Sequence, residues 1–173
     1  MEKVVVTGMG LVSPLGSTVP GFWNAMIRGE SGISRIDAFD TSRMKASVAG
    51  IVRDFDAEAR FGRKEARRMD RFCQFALAAA EDALKDAELD LDRLDKERTG
   101  VYVGSGIGGI GTLMEQGDVL RSRGPERVSP VLVPMIISNM AAATISIRFG
   151  FTGPTMSPVT ACSIGNTAIG EAY

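Results

Sequence analysis

Histidine is absent from all 173 residues. Its absence excludes an imidazole general base, a charge relay or a histidine-ligated metal within this chain. Cysteine is nearly absent as well. Cys73 and Cys162 are far apart and match no CxxC or zinc-ligand spacing, so no metal site and no cofactor is expected. Neither charge sign dominates: 20 Lys and Arg stand against 21 Asp and Glu, for a net charge of −1. Composition therefore argues for neither a nucleic-acid nor a membrane partner. No stretch approaches the roughly 20 uninterrupted apolar residues of a membrane helix. The N-terminus passes from Met1-Glu2 straight into Val4-Val5-Val6, with no basic leader and no long apolar run, so no signal peptide is expected. Both thiols are accordingly read as reduced, in a cytoplasmic protein. There is no internal repeat and no low-complexity segment.

What is present fits one globular domain with a real core over residues 1–173. Lys3 to Thr7 is a β-branched run closed by Gly8, the pattern of a buried strand. Thr18 or Ser17 is placed to cap a helix carrying Phe22, Trp23, Met26 and Ile27. A short strand fits Ser47 to Val52. Arg63 to Ala87 reads as one long helix, with Phe72, Phe75, Ala76, Ala79, Ala80, Ala83 and Leu84 on one stripe. Cys73, close to that stripe, is read as core. Further strands are expected at Gly100 to Gly104 and Thr155 to Ala161, with a buried helix over Val133 to Phe149 between them. Strands alternating with helices predict a layered α/β fold with a mostly parallel sheet. The chain stops at Tyr173, inside an apolar helix that follows Cys162, without a cap or turn signal. The expectation is a domain truncated within that helix.

Val159-Thr160-Ala161-Cys162-Ser163-Ile164-Gly165 places a thiol where a strand gives way to a helix. Unpaired N–H groups and the positive end of the helix dipole favour thiolate over thiol there, and thiolate is the nucleophile. The small neighbours Ala161, Ser163 and Gly165 leave room for a substrate. The same pattern also suits a buried structural cysteine, and spacing alone does not choose between the two.

Gly104-Ser105-Gly106-Ile107-Gly108-Gly109 matches GxGxxG after a strand. A dinucleotide site would need an acidic residue ending a second strand about 20 positions later. Arg127-Val128-Ser129-Pro130 stands there instead, and no P-loop Lys-Ser/Thr follows. Between Arg60 and Arg71 lie six basic residues and two acidic ones. On a continuous helix, residues 63, 64, 67, 68 and 71 would share one face. Taken alone, that is an ordinary solvated face, and no aromatics interleave with the charges as a nucleic-acid surface would need.

Val159-Thr160-Ala161-Cys162 with Gly165 and Ile169-Gly170-Glu171-Ala172 resembles the active-site signature of β-ketoacyl-acyl-carrier-protein synthases, most closely the type II enzymes that elongate fatty acids. The resemblance runs on through Val5-Val6-Thr7-Gly8-Met9-Gly10, Ser13-Pro14-Leu15-Gly16, Gly29-Glu30-Ser31-Gly32-Ile33, Phe39-Asp40-Thr41, Arg63-Lys64-Glu65, Met69-Asp70, the 104–109 glycines and Gly153-Pro154. It implies the N-terminal half of a thiolase-like fold. It also implies that Cys162 takes an acyl group from acyl carrier protein, after which the carbanion left by decarboxylation of malonyl carrier protein attacks the thioester.

By the same resemblance Ile107 lines the acyl pocket, and Val131 and Leu132 replace gate aromatics. Lys64, Arg67, Arg68 and Arg127 would dock the carrier protein, with Glu126 where a second base is common. The backbone N–H of Cys162 is one oxyanion donor. The family's two histidines and second donor belong to the other half, so the isolated chain is expected to be inactive. A homodimer is implied for the complete enzyme. The alternatives are a polyketide ketosynthase, which shares the cysteine signature, and a non-catalytic dimerising half-domain.

Overall fold

The computed structural model describes residues 3–173. Met1 and Glu2, where the leader reading begins, lie outside the described residues. In chain order the elements are α1 (Val19–Ile27), β1 (Ile33–Arg35), β2 (Val48–Gly50), α2 (Ala57–Phe61), α3 (Arg63–Ala66), α4 (Arg71–Asp86), β3 (Val101–Tyr102), α5 (Ile110–Arg123), α6 (Leu132–Ile136), α7 (Met140–Phe149), β4 (Thr155–Met156) and α8 (Ile164–Ala172). Short 3-10 turns occupy Lys96–Arg98, Pro125–Arg127 and Ala161–Ser163. The chain divides into two compact units, one of Thr7–Asp56 with Ala78–Glu88 and one of the remaining residues.

In the first unit Thr18 caps α1 as its sequence position suggests. Its backbone is extended, and its hydroxyl accepts from the Gly21 N–H at 3.3 Å. Such a cap contributes about 1 kcal/mol. The helix buries Ala25 and leaves Trp23, Met26 and Ile27 exposed. β1 and β2 pair antiparallel, Ile33 opposite Gly50 and Arg35 opposite Val48; β2 lies within the strand expected over 47–52, whereas no strand was expected at β1. Gly8 and Gly10 lie directly on the last turns of α4. A β-carbon at either would collide with the carbonyl of Ala83 or Ala79, which is why this contact needs glycine. The Met9 N–H donates to the Asp86 carboxylate at 2.9 Å.

The strand expected at Lys3 to Thr7 does not form. Among the described residues no ladder includes it, and Val4, Val5 and Val6 are 60–79% exposed. A β-branched run becomes a strand only when a neighbour supplies the other half of its hydrogen bonds.

The second unit holds most of the core: Ala66, Met69, Cys73, Leu77, Val101, Ala141, Ala142, Ile145, Phe151 and Ala168. β3 and β4 are parallel, Val101 beside Thr155 and Tyr102 beside Met156, and the α5 to α7 segment carries the chain between them. Each strand is two residues long, shorter than expected, although the Val103 N–H still reaches the Met156 carbonyl at 3.2 Å. α7 and α8 both pack on β3.

Two expected helices are broken. Arg63 to Ala87 becomes α3, a turn, and α4. At the break, Gln74 Nε2 donates to the carbonyls of Ala66 at 2.9 Å and Met69 at 3.0 Å, which a continuous helix would have paired internally. Val133 to Phe149 becomes α6 and α7, separated where Ile137 turns extended (ψ 137°). The Ile136 carbonyl accepts instead from the Gly109 N–H at 3.0 Å. This region is also less buried than its composition suggests: Val133 and Ile147 are exposed, and Ala141, Ala142 and Ile145 form the buried face of α7.

Candidate active site

Cys162 sits in the 3-10 turn Ala161–Ser163, which runs without interruption into α8. The strand does not deliver it directly, because β4 ends at Met156 and residues 157–160 are irregular. The thiol is exposed. Ala161, immediately before it, has left-handed backbone (φ 51°), which costs an alanine about 1 kcal/mol. Side chains hold this turn in place. Ser163 Oγ donates to the Thr160 carbonyl at 2.9 Å, the Thr160 and Thr167 hydroxyls meet at 2.8 Å, and Thr167 also donates to the Ser163 carbonyl at 3.2 Å. The result is an accessible thiol on a braced turn at the positive end of a helix.

The glycine-rich loop adjoins this turn. A β-carbon at Gly104 would overlap Ile164 and the Pro158 carbonyl, so the loop starts in contact with residues flanking Cys162. Ser105 Oγ accepts from the Gly108 N–H at 3.0 Å, and Gly108 takes φ 77° with the Ile136 carbonyl against it. Ile107, at the crest, is exposed. Val131 and Leu132 are half-buried at the start of α6, whose far end the Gly109 N–H holds. The Ile107 loop thus packs at one end on Pro158 and Ile164, which flank the Cys162 turn, and bonds at the other to the end of α6. Among the described residues no group of three or more His, Cys, Asp or Glu could hold a metal ion.

The basic residues do not share one helical face. Lys64 lies in α3, Arg67 is its C-cap and Arg68 follows in the turn. Lys64 and Arg68, with Arg63, Phe61, Gly62 and Glu65, line one open depression. Arg67 lies 3.7 Å from Glu58, and Glu65 pairs with Arg148 at 3.2 Å. Arg127 stands apart on the Pro125–Arg127 turn and does not line the depression.

Cys73 is buried in α4, and burial pushes its thiol up from 9.0 to about 12. The nearby Asp70 charge adds to the rise, and a hydrogen bond from Thr144 opposes it. Near neutral pH, iodoacetamide should label Cys162 and spare Cys73, as peptide mapping would read; equal labelling would contradict this. Since the folded value is raised, the Cys73 contribution to stability is complete below pH 9.0 and fades as pH climbs toward about 12.

The whole chain, residues 1–173, matches the model for the beta-ketoacyl synthase N-terminal domain. The chain belongs to the β-ketoacyl synthase family. This β-ketoacyl synthase domain is 44% identical over 172 residues to a 3-oxoacyl-[acyl-carrier-protein] synthase 2 of Synechocystis sp., with 99% of the chain and 41% of that protein covered. It is 45% identical over 172 residues to a protein of the same name from Staphylococcus aureus, covering 99% of the chain and 42% of that protein. The domain thus spans about two fifths of the length of these curated relatives.

Among solved structures, a β-ketoacyl synthase from Burkholderia phymatum superposes with a TM-score of 0.83 at 28% identity, over 100% of this chain and 43% of that one. A ketosynthase solved in complex with its type II polyketide acyl-carrier protein gives 0.78 at 25% identity, over 99% and 46%. The fold is the N-terminal half of the thiolase-like ketosynthase fold, as the resemblance implied. No described helix is long and apolar enough to cross a membrane.

Asp70 is the site-adjacent residue to which the sequence reading of this synthase domain gave no role. Its partner Thr112 lies 42 positions away. The available signal was local: an aspartate directly before the apolar stripe is a helix-cap signature.

Proposed function

We propose that the complete protein carrying this domain is a 3-oxoacyl-acyl-carrier-protein synthase of fatty acid elongation. The observation that carries the reading is the exposed thiol of Cys162 on a braced turn, in a domain 44–45% identical to proteins of that name. Cys162 attacks the acyl thioester of a loaded carrier protein. A new carbon–sulfur bond forms, and the carrier thiol leaves with the proton. Malonyl carrier protein then loses CO₂, and its carbanion displaces Cys162 from the acyl carbon, giving a 3-oxoacyl carrier protein and regenerating the thiol. The backbone N–H of Cys162 serves as one oxyanion donor. Lys64, Arg67, Arg68 and Arg127 draw in the acidic carrier protein, and Ile107, Val131 and Leu132 bound the acyl pocket.

The protein works as a cytoplasmic homodimer. Exposed apolar side chains on α7 and β4, Ile147 and Met156, support a face that is covered in the assembly. The 173-residue chain, without histidine, is proposed not to complete the condensation by itself. Incubating the complete protein with acyl and malonyl carrier proteins should release CO₂ and 3-oxoacyl product. Failure to form product with loaded carriers would overturn the reading.

The likeness to a polyketide ketosynthase favours a second reading, in which the same thiol primes repeated condensations. One extension of a fatty acyl carrier per cycle supports the first reading, and iterated poly-oxo products support the second. Within the first reading, Leu132→Phe should narrow the pocket and lower kcat/KM for long acyl carriers relative to short ones by roughly tenfold. An unchanged preference would remove Leu132 from the gate.

A further inference from the structure

The carboxylate of Asp70 joins two helices that are distant in sequence. Its Oδ1 accepts from the Phe72 N–H at 3.3 Å, capping α4 from the position just before Arg71. Its Oδ2 accepts from the Thr112 N–H at 3.2 Å and from the Thr112 hydroxyl at 2.6 Å, across 42 residues. Thr112 is the third residue of α5, and that helix has no cap of its own because Gly109, in the cap position, has no side chain. Asp70 supplies from a distance the acceptor that glycine cannot. Thr112 is the one buried polar side chain among the described core residues, at 8% exposure, so the short bond is sheltered from water.

The end of α5 held in this way is the end of the glycine-rich loop. Gly109 is wedged between the Asp70 carboxylate and the Met135 carbonyl, where a β-carbon would stand 3.0 Å from Asp70 Cγ and Oδ2. Gly108 lies under the Ile136 carbonyl, and Gly104 lies against Ile164, two residues beyond Cys162. Ile107 rides on the short arc between these anchors. Asp70 also lies within the basic segment that runs from Arg60 to Arg71. An ordinary cap serves the helix next to it, whereas this carboxylate sets the origin of a second helix and of the loop that helix carries.

We propose that Asp70, through Thr112, is a positioning residue that holds the Ile107 loop in register with Cys162 and so sets which acyl chains reach the thiol. The choice of readout rests on the synthase reading, but the geometry does not. Three variants of the complete protein test it: Thr112→Val, which removes the hydroxyl and keeps the shape, Thr112→Ser, which restores the hydroxyl, and Asp70→Asn, which leaves one carboxamide oxygen where two acceptors were needed.

The primary readout needs no turnover: the ratio of rates at which a long-chain and a short-chain N-alkyl iodoacetamide alkylate Cys162. The companion readout is kcat/KM and KM for long and short acyl carriers. Thr112→Val and Asp70→Asn should each shift the long-to-short ratio roughly tenfold, a size typical of small misplacements near a reacting group. Thr112→Ser should return it to within about twofold of the parent. In the companion assay the change should fall on KM for the acyl carrier and leave KM for malonyl carrier in place.

A lowered melting temperature with an unchanged ratio would reduce Asp70 to a structural cap and overturn the proposal. If Thr112→Val does not fold, the folded Asp70→Asn protein decides by the same ratio. If the parent makes no 3-oxoacyl product, the synthase reading fails, while the alkylation ratio still decides the role of Asp70.

Discussion

Replacing Cys162 by alanine in the complete protein should lower condensation by at least about a thousandfold, because the covalent step loses its acyl acceptor. Cys73 cannot substitute for it. Cys73 is 2% exposed inside α4, and its thiol is held protonated up to about 12. The loss should appear in kcat with the protein still folded, since Cys162 is exposed and its turn is braced by Thr160, Ser163 and Thr167 rather than by the sulfur. Near-parental turnover by Cys162→Ala would show that condensation needs no covalent step at Cys162.

Reversing Lys64, Arg67 and Arg68 together to glutamate should raise KM for carrier protein by roughly thirtyfold at low salt, with kcat for a small thioester substrate unchanged. Each exposed charge contributes little singly, but three reversals convert attraction into repulsion over one patch. The effect should shrink as ionic strength rises and the Debye length falls below the spacing of the charges. The structure grades the contributions. Lys64 and Arg68 line the same depression, Arg67 is partly engaged by Glu58, and Arg127 sits on a separate turn, so Arg127→Glu should do least. A KM unchanged by the triple reversal would rule out docking at this segment.

Local signals carried well from sequence to structure. Thr18 caps α1, β3 and β4 are parallel around the helical crossover, and Cys162 stands at the entry to α8. Each of these is decided by residues within a few positions or by pattern. The departures all have distant causes. Helical periodicity runs smoothly through residues 63 to 87, yet the chain breaks before Arg71, where Asp70 turns to Phe72 and to Thr112. Residues 133 to 149 break where Gly109 takes the Ile136 carbonyl. The basic residues lost their common face to the first break. Val4 to Val6 carry a strand's composition but lack a paired neighbour among the described residues. At the candidate site, the cysteine at the entry to α8 and the glycine loop beside it were legible because their residue types are restricted by local backbone geometry. The tether that holds them in register was not, because a carboxylate and a hydroxyl 42 residues apart leave no periodic trace.

The acyl-carrier role proposed for Cys162 predicts a covalent intermediate that can be seen directly. Mixing the complete protein with an acyl carrier protein, without malonyl carrier, and mapping its peptides by mass should settle it. One acyl adduct is expected, on the peptide containing Cys162, which disappears when malonyl carrier is added and 3-oxoacyl product forms. An adduct on another residue, or product formed while Cys162 remains unmodified throughout, would contradict it.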